Sequence, residues 1–157
     1  MKKIFEAKIE LPMKFSSGNQ HGQNGTRFFR PEKYHAYQDY LINAIQDVMN
    51  ETHPRLEDGS AYFMRLMFIY PVPKAFISSK AKQRAFDSSK LLPITRGTID
   101  LDNSSKGTID AMQVALGFDD SQIVSEELHK RYYIGKTHWL KFELYEMPSG
   151  QKIEFYD

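Results

Sequence analysis

Cysteine is absent from the 157 residues of this sequence. Its absence excludes disulfide bonds, thiolate nucleophiles, iron–sulfur clusters and cysteine-ligated zinc. Any metal ion must therefore be bound through oxygen or imidazole. Long hydrophobic runs are also absent: the longest, at residues 61–70, is interrupted by Arg65 and is shorter than the roughly 20 residues that span a bilayer. The first twelve residues alternate in polarity instead of forming a signal-peptide core, so we expect a cytoplasmic protein.

Neither sign of charge dominates, since the sequence has 21 basic and 20 acidic residues. Its length of 157 residues, set against about 150 residues for a typical domain, predicts one domain. Hydrophobic residues make up 41% and charged residues 26%, which is typical of a soluble globular domain. The charges are unevenly spread, because residues 74–96 contain six basic residues and one acidic residue, Asp87. This stretch is either a phosphate-binding surface or a solvated helix face.

Hydrophobic periodicity predicts an α+β fold, with a small mixed β-sheet flanked by helices. Residues 62–70 are apolar on both alternating faces and are predicted to form a central strand. A long mobile loop is expected at about residues 16–30, which are rich in Gly, Asn, Gln and Ser. The other predicted elements are strands at 5–11, 98–101, 122–134 and 138–145, with a turn at 135–136, and helices at 31–50, 80–86 and from residue 102 or 103 to 116.

Two pairs of acidic residues flank the last predicted helix. Asp100 and Asp102 precede it, and if this segment is extended both carboxylates project from one face of the strand. Lys106 lies four residues past Asp102, on the same side of the helix and one turn along. Asp119 and Asp120 follow the helix, where an antiparallel return beside the strand of the first pair would bring one of them to the same point. The sequence thus predicts a cluster of three carboxylates and one ammonium group.

A cluster of this kind needs a counter-charge. Two unit charges about 4 Å apart interact with about 4 kcal/mol at an effective dielectric constant of about 20, so Lys106 alone does not balance three carboxylates. A divalent cation does, and an all-oxygen site suits Mg²⁺, or Mn²⁺ in its place, better than Zn²⁺. Phosphoryl transfer is the chemistry that uses such a site. The alternative interpretation is that the acids are only a helix cap and a turn.

Four motifs in the sequence resemble those of the RusA-type Holliday junction resolvases, a family common on phages and prophages. The resemblance implies a single RusA-like domain spanning the whole chain. It also implies a homodimeric, Mg²⁺-dependent endodeoxyribonuclease that cuts paired strands of branched DNA symmetrically in recombination and repair. The motifs are IDLDNSSK at residues 99–106, IDAM at 109–112, DDSQIV at 119–124 and YPVPK at 70–74.

The same resemblance assigns roles to individual residues. Asp100, Asp102 and Asp120 match the catalytic acids that bind the metal, and Lys106 matches the catalytic lysine. Asp119 is the alternative ligand beside Asp120. The spacing adds one supporting residue outside these assignments, since Asp110 lies four residues past Lys106 and is expected to orient its ammonium.

The resemblance makes DNA the expected partner of the basic residues. Residues 27–30 also interleave arginine with phenylalanine; they would grip the backbone and stack on opened bases, or else the phenylalanines anchor the following helix. Three other functions stay open: a metal nuclease acting on flaps or forks, a non-catalytic DNA-binding or adaptor protein, and a structural protein without a nucleic acid partner. The candidate DNA-binding residues are Arg27, Arg30, Lys74, Lys80, Lys82, Arg84 and Arg96.

Overall fold

A computed structural model describes residues 1–16, 22–24, 27–29, 32–95, 97–148 and 150. Two 3₁₀ turns, Lys74–Ile77 and Asp120–Gln122, accompany the regular elements. The helices are α1 (Glu32–Thr52), α2 (Lys80–Ala85) and α3 (Leu101–Leu116). The strands are β1 (Lys2–Leu11), β2 (Gly22–Asn24), β3 (Arg27–Phe29), β4 (Tyr62–Pro71), β5 (Ile123–Tyr133) and β6 (His138–Glu146).

The main sheet has the strand order β1-β6-β4-β5. β4 pairs in parallel with β5 and antiparallel with β6, and β6 pairs antiparallel with β1. The sheet is therefore mixed, and the predicted α+β class is confirmed. β4 has neighbours on both sides, which confirms that it is an interior strand. β5 and β6 follow one another in sequence but are separated in the sheet by β4.

One face of the sheet forms the core together with α1 and α3. The alternating residues Phe5, Ala7, Ile9 and Leu11 of β1 are buried, as the period-2 pattern predicted. α1 and α3 meet the same core, and the hydroxyls of Tyr37 and Thr108 hydrogen-bond between the two helices at 2.9 Å. The largest fully buried side chains are Tyr37, Tyr62, Phe68, Phe142, Leu11, Leu41, Ile45, Met64, Leu66, Met112, Leu140 and Leu144.

The opposite face of the sheet carries a network of ion pairs. Glu143 on β6 is only 5% exposed and lies 3.0 Å from Arg65 of β4, 3.2 Å from Lys141 and 2.8 Å from the Tyr145 hydroxyl. Burial raises the pKa of Glu143, but hydrogen bonds from Tyr145, Lys141 and Arg65 together outweigh that effect and lower the pKa to about 2. Arg65 also pairs with Glu127 of β5 at 3.1 Å, so the network links three strands.

The predicted strand at residues 98–101 is wrong. Residues 98–100 are irregular, and α3 begins at Leu101 with Asp100 as its N-cap residue rather than Asp102 or Asn103. The polar groups here have partners outside any sheet: the Thr98 N–H bonds to the Thr95 carbonyl at 3.1 Å, and the Ile99 N–H bonds to the Tyr70 hydroxyl at 3.3 Å. The antiparallel return of β5 beside this segment is also wrong, because β5 pairs in parallel with β4.

Two further expectations concern the predicted loop at residues 16–30 and the membrane. Residues 22–24 and 27–29 of the predicted loop at 16–30 form the short antiparallel pair β2–β3. The rest of that loop beyond residue 16, and its predicted mobility, lie outside the described residues. In the part of the chain that is described, each helix is too short or too polar to cross a membrane.

Candidate active site

A cleft of about 510 Å³ lies between α3 and the start of β5. Gly117 ends α3 in a left-handed conformation, with φ of 79°, and this turns the chain back toward the helix. The Asp120–Gln122 turn and β5 then form the second wall. Lys106 and Asp120, two of the predicted catalytic residues, therefore line one cleft. The lining residues are Ser105, Lys106, Ile109, Asp110, Asp120, Ile123, Val124, Ser125 and Glu126.

The α3 wall carries a row of charged residues. Asp102, Lys106 and Asp110 are spaced four residues apart in a continuous helix, so they lie above one another at intervals of about 6 Å along its axis. The Tyr34 hydroxyl of α1 donates a hydrogen bond to the Asp110 carboxylate at 3.3 Å, and the Gln38 amide of α1 donates to the Gly107 carbonyl. α1 thus fixes the turn of α3 that presents Lys106 and Asp110 to the cleft.

The segment before α3 is held by the sheet. Tyr70 of β4 accepts the Ile99 N–H, and Lys130 of β5 donates to the Thr98 hydroxyl at 3.1 Å. The Thr98 hydroxyl in turn donates to the Pro93 carbonyl at 3.0 Å. The backbone that directly precedes Asp100 is therefore anchored to both β4 and β5. The Asp100 side chain makes no capping hydrogen bond and is exposed.

Asp119 and Asp120 have different roles in the structure. The Asp119 carboxylate accepts the Ser121 N–H at 2.9 Å, and the Gln122 side chain accepts the Asp119 N–H at 3.0 Å, which completes a capping box. Hydrogen bonds from the side chain and backbone of Ser121 lower the pKa of Asp119. Asp120, in contrast, lines the cleft. Of the two neighbouring acids, Asp120 is the better candidate for catalysis.

The predicted metal-binding acids come from both ends of α3. Asp100 and Asp102 lie at the N-terminal end of α3, and the turn after Gly117 returns the chain so that Asp120 lines the cleft beside Lys106, one helical turn from Asp102. Within the described ranges, no group of three His, Asp or Glu side chains is arranged to hold a metal ion. The donors of the candidate acids are all oxygens, which are the ligands that Mg²⁺ prefers.

Sequence reasoning missed the roles of three residues at this site. Glu126 lines the cleft on the β5 side, but it lies outside the acidic motifs, and only the return of β5 along α3 brings it there. Tyr70 and Lys130 hold the segment before Asp100, although the sequence predicted both only as residues of β-strands. Contacts made across the fold, rather than local spacing, define all three.

The predicted basic stretch forms an exposed substructure, which we call the basic lobe (residues 74–91). It contains the first 3₁₀ turn and α2, and Ser79 caps α2 by accepting the Lys82 N–H at 3.1 Å. The candidate DNA-binding residues Lys74, Lys80, Lys82 and Arg84 are exposed on it. Arg30, Arg96 and the side chain of Arg27 lie outside the described residues.

Comparisons with known proteins identify the family of this chain. A comparison with curated proteins gives no match. A family model described as endodeoxyribonuclease RusA matches residues 12–138, a range that includes α3, the cleft and the basic lobe. Because this match covers most of the 157 residues, the chain belongs to the RusA endodeoxyribonuclease family.

Proposed function

We propose that the protein is a Mg²⁺-dependent Holliday junction resolvase that cuts two opposed strands of a four-way DNA junction. The observation that carries this proposal is the cleft of a RusA-family chain in which Lys106 and Asp120 lie together. Asp102 extends the same row of α3 by one turn. These residues are exposed, so a phosphate of the DNA backbone has access to them.

The side chains divide the chemistry between them. Lys106 places an ammonium where negative charge develops on the phosphate, and this stabilises the transition state. Asp100, Asp102 and Asp120 would hold the metal, which supplies positive charge and Lewis acidity to the attacked phosphate. Asp110 is a positioning residue, because it lies four residues past Lys106 on α3 and is itself fixed by Tyr34.

Symmetric cutting requires two active sites, and we propose that a homodimer provides them. A two-fold axis through a dimer places one copy of the cleft on each of two opposed strands. The basic lobe supplies the DNA affinity, because each phosphate contact by Lys or Arg releases counterions and makes binding weaken with salt. The proposal also includes Arg27, Arg30 and Arg96 as DNA-binding residues. It places the protein in the cytoplasm, the compartment in which it would encounter such DNA.

A labelled synthetic four-way junction, incubated with Mg²⁺, Mn²⁺ or EDTA, tests this function. We expect paired nicks at symmetric positions with either metal and intact DNA in EDTA. Asp102→Asn and Lys106→Ala should abolish cleavage while the junction is still bound. Asp39→Asn, an exposed acid on α1, is the matched control and should cut normally. Full activity of Asp102→Asn would contradict the assignment.

The alternatives give different products in the same assay. A nuclease specific for flaps or forks would leave the four-way junction intact and cut those substrates instead. A non-catalytic DNA-binding or adaptor protein would bind DNA in a salt-dependent way and give no metal-dependent product. Gel filtration with light scattering, with and without junction DNA, tests the dimer separately.

A further inference from the structure

The basic lobe contains an apolar groove that the cleavage chemistry does not use. The groove has a volume of about 390 Å³, which falls within the range of about 300–1,000 Å³ for small-molecule sites. Phe76 stands at its edge and is 48% exposed. Its apolar lining consists of Ala75, Phe76, Ala85, Phe86 and Leu91, and its charged rim of Lys82, Asp87 and Lys90.

The packing of the lobe does not explain this exposure. All six residues of α2 are exposed, although isolated helices of this length are unstable in water and normally gain stability from packing an apolar face. Ile77, Phe86 and Leu91 attach the lobe to the core. Hydrogen bonds from Lys82 to the Ala75 carbonyl at 3.3 Å and from Gln83 to the Ile77 carbonyl at 3.1 Å join α2 to the preceding 3₁₀ turn. Phe76, in contrast, is not among the side chains packed against the core and stays about half exposed.

The charge around the groove indicates an anionic occupant. The lobe contains five basic residues and one acidic residue, Asp87, whereas the rest of the sequence has sixteen basic and nineteen acidic residues. The carboxylate of Asp87 accepts hydrogen bonds from the N–H and hydroxyl of Ser89 at 2.9 and 2.6 Å and lies 3.9 Å from the Lys90 ammonium. Two cations against one anion leave the rim with a net positive charge, and the rest of the lining is apolar and aromatic.

An unstacked nucleotide carries an aromatic base and a negative phosphate next to each other, which match the apolar lining and the cationic rim. Its base presents a π-face that stacks on an aromatic ring, and its phosphate carries the negative charge. A fully paired duplex presents phosphates but keeps its bases stacked inside. We propose that the groove of the basic lobe receives an unstacked nucleotide of branched or single-stranded DNA, with Phe76 stacking on the base and Lys82 and Lys90 facing its phosphates.

This inference deepens the proposed function, because it gives the enzyme a means of distinguishing a branch point from an ordinary duplex. Binding titrations test it without cleavage. Fluorescence anisotropy in EDTA would compare three probes: a four-way junction, a duplex with the same total number of base pairs, and a single-stranded oligothymidylate. We expect the wild-type protein to bind the junction and the single strand more tightly than the duplex.

Substitutions at Phe76 separate stacking from charge. Phe76→Leu keeps an apolar side chain but removes the ring, and it should weaken binding to the junction and the single strand about tenfold while duplex binding stays unchanged. Phe76→Trp restores a ring and should restore the preference. Arg84→Gln removes a charge, so it should weaken binding to all three probes and reduce the salt slope by about one. Tyr40→Leu, which removes an exposed ring on α1, is the matched control and should leave all three affinities unchanged.

Two outcomes would overturn the inference. One is a Phe76→Leu variant that binds all three probes as the wild type does, or loses affinity equally for all of them. The other is a wild-type protein that does not bind any of the probes even at low salt. Failure of the proposed function is distinguishable: a protein that prefers the junction through Phe76 but gives no nicks with Mg²⁺ supports the groove and contradicts the resolvase.

Discussion

The hydroxyl of Tyr70 accepts the backbone N–H of Ile99 at 3.3 Å. Tyr70 belongs to an interior strand of the sheet, and Ile99 directly precedes Asp100, the N-cap residue of α3. The bond connects the most rigid part of the fold to the segment that carries two of the proposed catalytic acids. The position of Asp100 therefore depends on a side chain that takes no direct part in the chemistry.

Tyr70→Phe removes this acceptor and leaves the Ile99 N–H without it. Since an unsatisfied buried donor costs about 1–3 kcal/mol, we expect the acids to lose their fixed position and junction cleavage to slow about tenfold, with junction binding unchanged. Single-turnover rates and anisotropy titrations measure the two effects. Tyr40→Phe, which loses a similar bond to the Glu10 carbonyl, should cut at the wild-type rate. Equal rates for both variants would contradict the positioning role.

Asp119 and Asp120 are neighbours whose substitution should have opposite effects. Asp119→Ala removes the cap of the 3₁₀ turn and should lower the free energy of unfolding by about 1 kcal/mol, while the protein still cuts. Asp120→Asn should abolish cleavage and leave the unfolding free energy within about 0.5 kcal/mol, since surface substitutions are usually that small. Urea unfolding and junction cleavage, measured on both variants, check the two assignments. If Asp119→Ala is stable but inactive, Asp119 rather than Asp120 is the catalytic acid, and the two assignments are wrong.

The turn that forms the cleft depends on the backbone of Gly117. Its φ of 79° lies in the left-handed region, and open space surrounds the position where a Cβ would stand. Gly117→Ala should therefore lower the unfolding free energy by about 1 kcal/mol through backbone strain alone. Gly97→Ala is the control, because its Cβ would meet only the Thr95 hydroxyl at 3.8 Å. Urea unfolding of both variants measures the difference between their free energies of unfolding. Equal free energies would show that the turn is not strained.

Glu143 makes stability depend on pH in the acid range. Its pKa in the folded protein is about 2, below the value of about 4.3 for an unperturbed Glu, so the folded state favours the ionised form. The resulting stabilisation, on the order of 2–3 kcal/mol, is fully present above about pH 4.5 and is lost as the pH falls toward 2. Unfolding free energies of wild type and Glu143→Gln should differ at pH 7 and converge near pH 2. Glu6→Gln, an exposed neighbour, should show a much smaller difference.

Local patterns in the sequence predicted most of the elements but not their arrangement. The alternation in β1, the apolar run of β4 and the short helix α2 are predicted from short-range signals, and each was confirmed. The order of the strands depends on which surfaces pack in three dimensions, so the separation of β5 from β6 by β4 has no local signal. The start of α3 was misplaced for a related reason. A strand at residues 98–101 would need a neighbouring strand to bond its backbone, but here the Ile99 N–H bonds to the Tyr70 hydroxyl instead.

The candidate site shows the same division. The motifs at residues 99–106 and 119–124 identified Lys106 and Asp120, and the structure places both in one cleft. The antiparallel pairing that the sequence predicted for Asp120 does not occur, and instead the turn after Gly117 and the parallel strand β5 bring Asp120 to the cleft beside Lys106. Spacing along a chain reports which residues share a helix face, but it does not report distances between elements whose pairing is unknown.

The concentration of positive charge in the basic lobe gives the whole molecule an electric dipole. Five basic residues and one acidic residue lie at this one place, and an excess of acidic residues is distributed over the remainder of the sequence. In the proposed function, this dipole experiences a torque near the DNA polyanion, which would turn the lobe toward the DNA before the surfaces touch and raise the rate of productive encounters. Added salt shortens the reach of that field to about 8 Å at physiological ionic strength, so the orientation of approach, as well as affinity, depends on the ionic medium.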